Sequence, residues 1–344
     1  MKVMKRKTFS LLVYGLVLML VMYNCKKKDE DPLTPDAGKL EELAKITMAP
    51  VTLVKPAAVA STEGKVDVSA KATALNADLA SIATTGVLPA SAVTASAEVT
   101  KALSPADITV MSSLTPAALA AIAKGGALPA DVKAVMTKAA ADAALSAYFP
   151  KVTYPTVGGK EVKGRIGGTV TPEAIEATEG TLVSDECIAA AEAAFQTKKA
   201  TLDAARLTAL IPVTAQYAAD IAPIAAAQSA CNSPIAANYD AQRASYLTIY
   251  NTGDALLQTL GASGVPMRIS LLMQYLALVE ATYASQSAAV KACSDIAAAQ
   301  TANANTARDS NAAAVEASYA TAIAAARVSQ AALIASCHNQ GGGL

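Results

Sequence analysis

Gly261-Ala262-Ser263-Gly264-Val265-Pro266 is the strongest break in the second half of the chain. Two glycines and a proline fall within six residues, in sequence otherwise dominated by alanine. Four cysteines are arranged around it. Cys187 to Cys231 is 44 residues and Cys293 to Cys337 is again 44, so the set is symmetric about residue 262. In an antiparallel helical hairpin folded at this turn, residues equidistant from it face one another. Cys231 then lies beside Cys293.

Each arm offers a further break. Ile211-Pro212 falls near the midpoint of Cys187 and Cys231, and the polar stretch Thr301–Asn311 (TANANTARDSN) interrupts the second arm. If all three turns form, the four cysteines converge on one end of an up-and-down bundle. The pairings are then 187–231 with 293–337, or 231–293 with 187–337, and the turn at 262 favours the second. A 106-residue duplication would give the same spacing, but little besides alanines, the cysteines and Asp203/Asp309 aligns. A four-thiolate zinc site is the other reading, and the chain lacks the short C-x-x-C pairs such sites use.

Working back along the chain, residues 37–150 carry shorter helical signals. Thr115-Pro116 places an N-cap before a proline at the first helical position, and Gly125-Gly126 closes that helix. Ser104-Pro105 opens a shorter helix, and Pro129 opens another that ends before Pro150. Residues 77–93 (ADLASIATTGVLPASAV) match residues 117–133 (AALAAIAKGGALPADVK) at nine of seventeen positions. Each copy reads as helix, glycine turn, Leu-Pro, helix, and Leu43–Ile46 resembles the start of a third. Residues 151–172 lose their alanines and gain glycine and valine, which predicts a linker with a short β-ribbon.

The fold class expected is all-α: an Ala-rich antiparallel helical bundle with disulfides over 173–338, preceded by a smaller region of short helical hairpins over 37–150. Residues 339–344 form a tail. Alanine is the best helix former but buries little apolar area, so disulfides would compensate for a thin core. The oiliest stretch, Ile269–Val279, lies between Arg268 and Glu280 and reads as a buried helix. No segment after the N-terminal run is expected to span a membrane.

The N-terminus differs from all of this. Lys2, Lys5, Arg6 and Lys7 precede an uncharged run from Phe9 to Tyr23, which ends at Cys25 and is followed by KKKDEDP. Charged start, apolar run and closing cysteine resemble the signal of bacterial lipoproteins. The resemblance covers only about the first 30 residues. It implies cleavage after residue 24, a diacylglyceryl thioether on Cys25 and a charged tether to residue 36. Val21-Met22-Tyr23-Asn24 is a relaxed match to the usual Leu-Ala-Gly before the cysteine. An uncleaved single-pass anchor is the alternative. By the same resemblance, Lys26 after the cysteine favours the outer membrane, and the Lys-then-acid block resembles a surface-export signal. Its plain reading is a solvated tether.

Chemistry is sparse. The chain has 28 basic and 28 acidic residues; residues 1–24 hold four of the basic ones and no acid, leaving 24 against 28, net −4. There is no basic stripe for nucleic acid. The sole histidine, His338, lies near the end, so no His-based triad or multi-histidine metal site can be built. Val157-Gly158-Gly159-Lys160 and the Gly164–Thr169 run do not fit a phosphate loop. No catalytic residue, metal site or cofactor is assigned.

Tyr239, Tyr246 and Tyr250 share one helix face, and Tyr275 and Tyr283 are eight apart. They either fill a core otherwise lined with alanine or form an exposed stripe for a protein partner. The functional expectation is a lipid-anchored cell-envelope protein with a structural or surface-interaction role, at the periplasmic face or cell surface. The alternative is a periplasmic bundle binding a small apolar ligand between helices, lined by the tyrosines.

Overall fold

The computed structural model describes residues 34–85, 87–163 and 186–338. Its elements in chain order are α1 (Ala37–Lys45), β1 (Ser61–Thr62), β2 (Lys65–Asp67), α2 (Ala70–Thr85), α3 (Ala90–Ala102), α4 (Pro105–Ser112), α5 (Pro116–Ala123), α6 (Ala130–Ala141), α7 (Ala143–Ser146), β3 (Lys151–Thr153), β4 (Thr156–Val157), β5 (Lys160–Glu161), α8 (Glu186–Ile221), α9 (Ile224–Asn232), α10 (Ile235–Gln258), a 3₁₀ turn (Gly261–Gly264) and α11 (Val265–His338). The fold is all-α, with long helices and two disulfides. Cys25 and the whole N-terminal run lie outside the described residues.

The turn at 261–264 forms as its residues dictate. α10 ends with Leu260 N–H bonded to the Leu257 carbonyl at 3.2 Å. Gly261 then adopts φ +59°, a left-handed conformation that glycine takes at little cost. Gly264 is buried, and a Cβ there would stand 2.2 Å from the Leu257 carbonyl oxygen. The chain reverses in this small space.

The two further turns do not form, which corrects the four-helix expectation. α8 runs through Pro212. Pro212 and Thr208 are both exposed, so water can satisfy the carbonyl that the proline leaves without a donor. α11 runs unbroken through residues 301–311. Breaks occur instead before Pro223 and Pro234. Both prolines sit near helical geometry, at φ −79°, ψ −13° and φ −81°, ψ −14°, so the chain continues in its direction. By length and composition alone, Glu186–Gln258 and Gly261–Cys337 are each long and apolar enough to cross a membrane. That corrects the expectation that no such segment follows the N-terminus. It arises because alanine runs on without the predicted interruptions.

The described chain divides into two compact units that cut across the sequence divisions. The first comprises residues 34–52, 186–211 and 313–338. Its core is Leu43, Ala191, Phe195, Leu202, Ala322, Ala326 and Leu333. Asp36 caps α1, accepting from Lys39 N–H at 3.0 Å. Lys39 Nζ donates to the Ala332 carbonyl at 3.0 Å and Lys198 Nζ to the Ala44 carbonyl at 2.7 Å, fastening α1 to both long helices. Arg206 pairs with Glu316 at 2.7 Å, and Tyr319 donates to Asp203. Leu43–Ile46 closes α1 and passes into extended chain, so no third repeat follows.

The second unit comprises residues 53–163 and 212–312. The two repeat copies adopt the same shape: α2 then α3, and α5 then α6, with Pro89 and Pro129 each in the residue before the second helix. Equivalent residues do equivalent work. Leu79 and Leu119 are both buried, as are Ile82 and Ile122. Gly86 lies outside the described residues; in the second copy Gly126 N–H closes α5 on the Ala121 carbonyl at 2.8 Å. Ser104 and Asp107 form a reciprocal cap on α4. The single helix expected before Pro150 is divided at Asp142, which caps α7 by accepting from Ala144 and Leu145 N–H.

Residues 151–161 form part of this unit: β3 pairs antiparallel with β2, and β4 with both β1 and β5. Gly158 and Gly159, both at positive φ, make the β4–β5 hairpin turn. Against these layers lies α11, where every residue from Ile269 to Val279 is buried.

Candidate functional site

Within each unit, partners across the long helices are equidistant from Ala262 or nearly so. Cys231–Cys293, Tyr239–Ser285 and Cys187–Cys337 have sequence separations of 62, 46 and 150, all centred on that residue. The disulfides are therefore 187–337 in the first unit and 231–293 in the second. Their Cα atoms are 5.8 Å apart in both, inside the range a disulfide requires. The cysteines do not converge on one end, because the additional turns are absent.

The tyrosines occupy interior positions, so the exposed-stripe expectation is corrected. Tyr239 is buried and shares a 2.7 Å hydrogen bond with Ser285. Tyr250 and Tyr275 are buried and stack with ring centroids 5.2 Å apart. Tyr275 donates to the Leu119 carbonyl at 3.2 Å and Tyr283 to the Ala123 carbonyl at 2.9 Å. Tyrosines eight apart on α11 thus hold carbonyls four apart on α5. Arg243 lies over the Tyr283 ring at 3.9 Å, with its Nη1 bonded to Gln286 at 2.9 Å. Tyr246 is half-buried. Burial pushes the Tyr275 phenol up to about 12 and raises Tyr246 and Tyr250 as well, so these three stay neutral and poorly suited to base or nucleophile chemistry.

The cavity bordered by Tyr246, Tyr250 and Tyr275 measures only about 40 Å³. Gln274 Oε1 and Asn76 Oδ1, both without a hydrogen-bond partner, belong to residues that line it. A pocket for a small ligand needs several hundred Å³, so a tyrosine-lined ligand interior is not present among the described residues.

Two larger spaces lie along α11 beside α6. One cleft measures about 440 Å³ and an adjoining one about 280 Å³. α6 presents Lys133, Met136, Thr137 and Ala140 to the larger cleft; α11 presents Ala277, Glu280, Ala281 and Ala284. Both sets follow i, i+3, i+4, i+7, which is one face of a helix. Phe149 and Val152 close one side. The three alanines keep α11 narrow here, and leucines would fill the space. Lys133 and Glu280 line both clefts. A further cleft of about 490 Å³ lies between residues 55–59 and the α8–α9 break.

No group of three or more His, Cys, Asp or Glu side chains able to hold a metal occurs among the described residues. No family model, curated protein or solved structure matches the chain, so its site is read from its own residues. Lys133 and Glu280 carry no distinguishing signal in the sequence beyond their shared helical spacing with small neighbours. The gap between the two faces is a property of the packing.

Proposed function

We propose that this chain is a lipid-anchored cell-envelope protein with a structural or surface-interaction role and no catalytic one. The supporting observation is the cysteine pairing. Of five cysteines, four pair with each other, leaving Cys25 as the remaining thiol. Cys25 stands at the end of the apolar run, where the lipoprotein signal places its acylated residue. Disulfides also suit an oxidising compartment outside the cytosol. The membrane is then engaged through the lipid, and the net negative remainder of the chain argues against a nucleic-acid partner. Placement at the outer membrane rests on Lys26. A protein partner would meet the folded units beyond the tether.

The test is Cys25→Ser. The wild-type protein should partition into detergent and incorporate labelled palmitate, and the variant should do neither. A variant that still incorporates label would defeat the proposal. Protease shaving of intact cells then separates surface display from periplasmic residence.

A second reading, binding of a small apolar ligand, is favoured by the alanine-floored cleft between α6 and α11. The 440 Å³ volume falls in the range of ligand pockets. Binding of a fluorescent fatty acid by the wild-type protein but not by Ala284→Trp would support it.

A further inference from the structure

Resting on the ligand-binding reading, we infer that the α6–α11 cleft takes a single-chain amphiphile with a zwitterionic head, its chain along the alanine face and its head between Lys133 and Glu280. The floor on α11 consists of Ala277, Ala281 and Ala284, which offers methyl groups and no hydrogen-bonding side chain. Met136 and Phe149 give the opposite wall adaptable and flat apolar surface. Such a groove accommodates a hydrocarbon chain along the alanines, with Thr137 and Tyr154 as its other polar lining residues.

The charges supply the polarity. Lys133 and Glu280 are both exposed, and each borders both clefts, so they stand where the two spaces meet. Neither side chain has an ion-pair partner among the described residues, although Lys71, Lys138, Lys199 and Lys291 each do. Lys133 belongs to α6 and Glu280 to α11, on opposite walls of one opening. A guest carrying one positive and one negative group complements both. A purely anionic or cationic head would satisfy one and repel the other.

Three twelve-carbon amphiphiles, each below its micellar concentration, test this on the full folded protein: dodecylphosphocholine, laurate and dodecylammonium. The zwitterion should bind more tightly than either ion by about 2- to 5-fold, the scale expected of an exposed charge pair. Lys133→Glu should shift preference to dodecylammonium, Glu280→Lys should shift it to laurate, and Ala284→Trp should weaken all three at unchanged helicity. Equal binding of all three, unmoved by the charge substitutions, overturns the head-group inference and leaves the ligand-binding reading standing. Absence of binding by any amphiphile overturns both.

Discussion

Asn311 satisfies both hydrogen-bonding groups of the Val54 residue. Its Oδ1 accepts from Val54 N–H at 2.8 Å, and its Nδ2 donates to the Val54 carbonyl at 2.9 Å. Gln216 Nε2 adds a second donor to that carbonyl at 2.9 Å, and Asn303 Nδ2 holds the Ala57 carbonyl at 2.8 Å. Residues 53–59 form a strap that is neither helix nor strand, and without partners its peptide groups would be left bare. Here amide side chains of the helices stand in for a neighbouring strand.

Replacing Asn311 with leucine orphans the Val54 N–H, while Gln216 still serves the carbonyl. The loss should be about 1–3 kcal/mol in urea unfolding. Amide exchange at Val54 should accelerate out of proportion to that at the α11 core. Unchanged protection at Val54 would show that Gln216 alone suffices to hold it.

The turn predicts an order among glycine substitutions. Gly264→Ala drives a methyl into the Leu257 carbonyl, which is backbone and cannot rotate away. It should cost at least about 2 kcal/mol. Gly261 faces open space at φ +59°, so Gly261→Ala should cost about 1 kcal/mol and Gly261→Asn less. Thermal melts of the three variants check the ranking, and Gly261→Ala as the worst of them would contradict the turn geometry.

Peptide mapping without reduction should yield the 187–337 and 231–293 pairs. In the chain-entropy picture, opening the 62-residue loop costs about 4 kcal/mol and opening the 150-residue loop about 5 kcal/mol. Serine pairs at each bridge, compared by denaturant midpoint, measure this. Recovery of a 187–231 peptide would refute the hairpin register.

Lys138 and then Ser104, through hydrogen bonds to its carboxylate, hold Asp107 down at about 2, against an ordinary 3.8. Its folded value lies below the unfolded one, so its stabilisation is complete above about pH 5 and is lost as pH falls through about 2. Lys138 is half exposed, which limits the effect to about 1 kcal/mol or less. Lys138→Gln should return the carboxyl toward 3.8 in an NMR titration. The stability gap between wild type and variant should be flat above about pH 5 and close as pH falls through about 2. A gap that persists in acid would assign the effect to packing of the lysine stem.

The parts legible in the sequence are those with a local chemical signature. The Gly261–Pro266 break, the cysteine symmetry and the Leu-Pro helix starts at 89 and 129 each depend on residues close together in the chain. Two misreadings share a cause. Pro212 predicts a turn because a proline removes one hydrogen bond, yet its exposed position lets water make good that loss. Residues 301–311 were read as a break because they are polar, but Asn303 and Asn311 face a strap some 250 residues earlier. The tyrosine set was ambiguous for the same reason: the carbonyls of Leu119 and Ala123 that two of them engage lie in a different part of the sequence. The N-terminal reading belongs to residues outside those described.

The nesting of the two bridges has a mechanical consequence. The inner loop lies wholly inside the outer one, so a pull between the two chain ends is carried past residues 187–337 by a single covalent link. Roughly 500 Å of contour is thereby withheld from extension, at about 3.3–3.6 Å per residue. Under load the chain can lengthen only outside residues 187–337, and before Cys187 the attachments are non-covalent. The chain would act as a tether that yields before residue 187 and holds from there to residue 337.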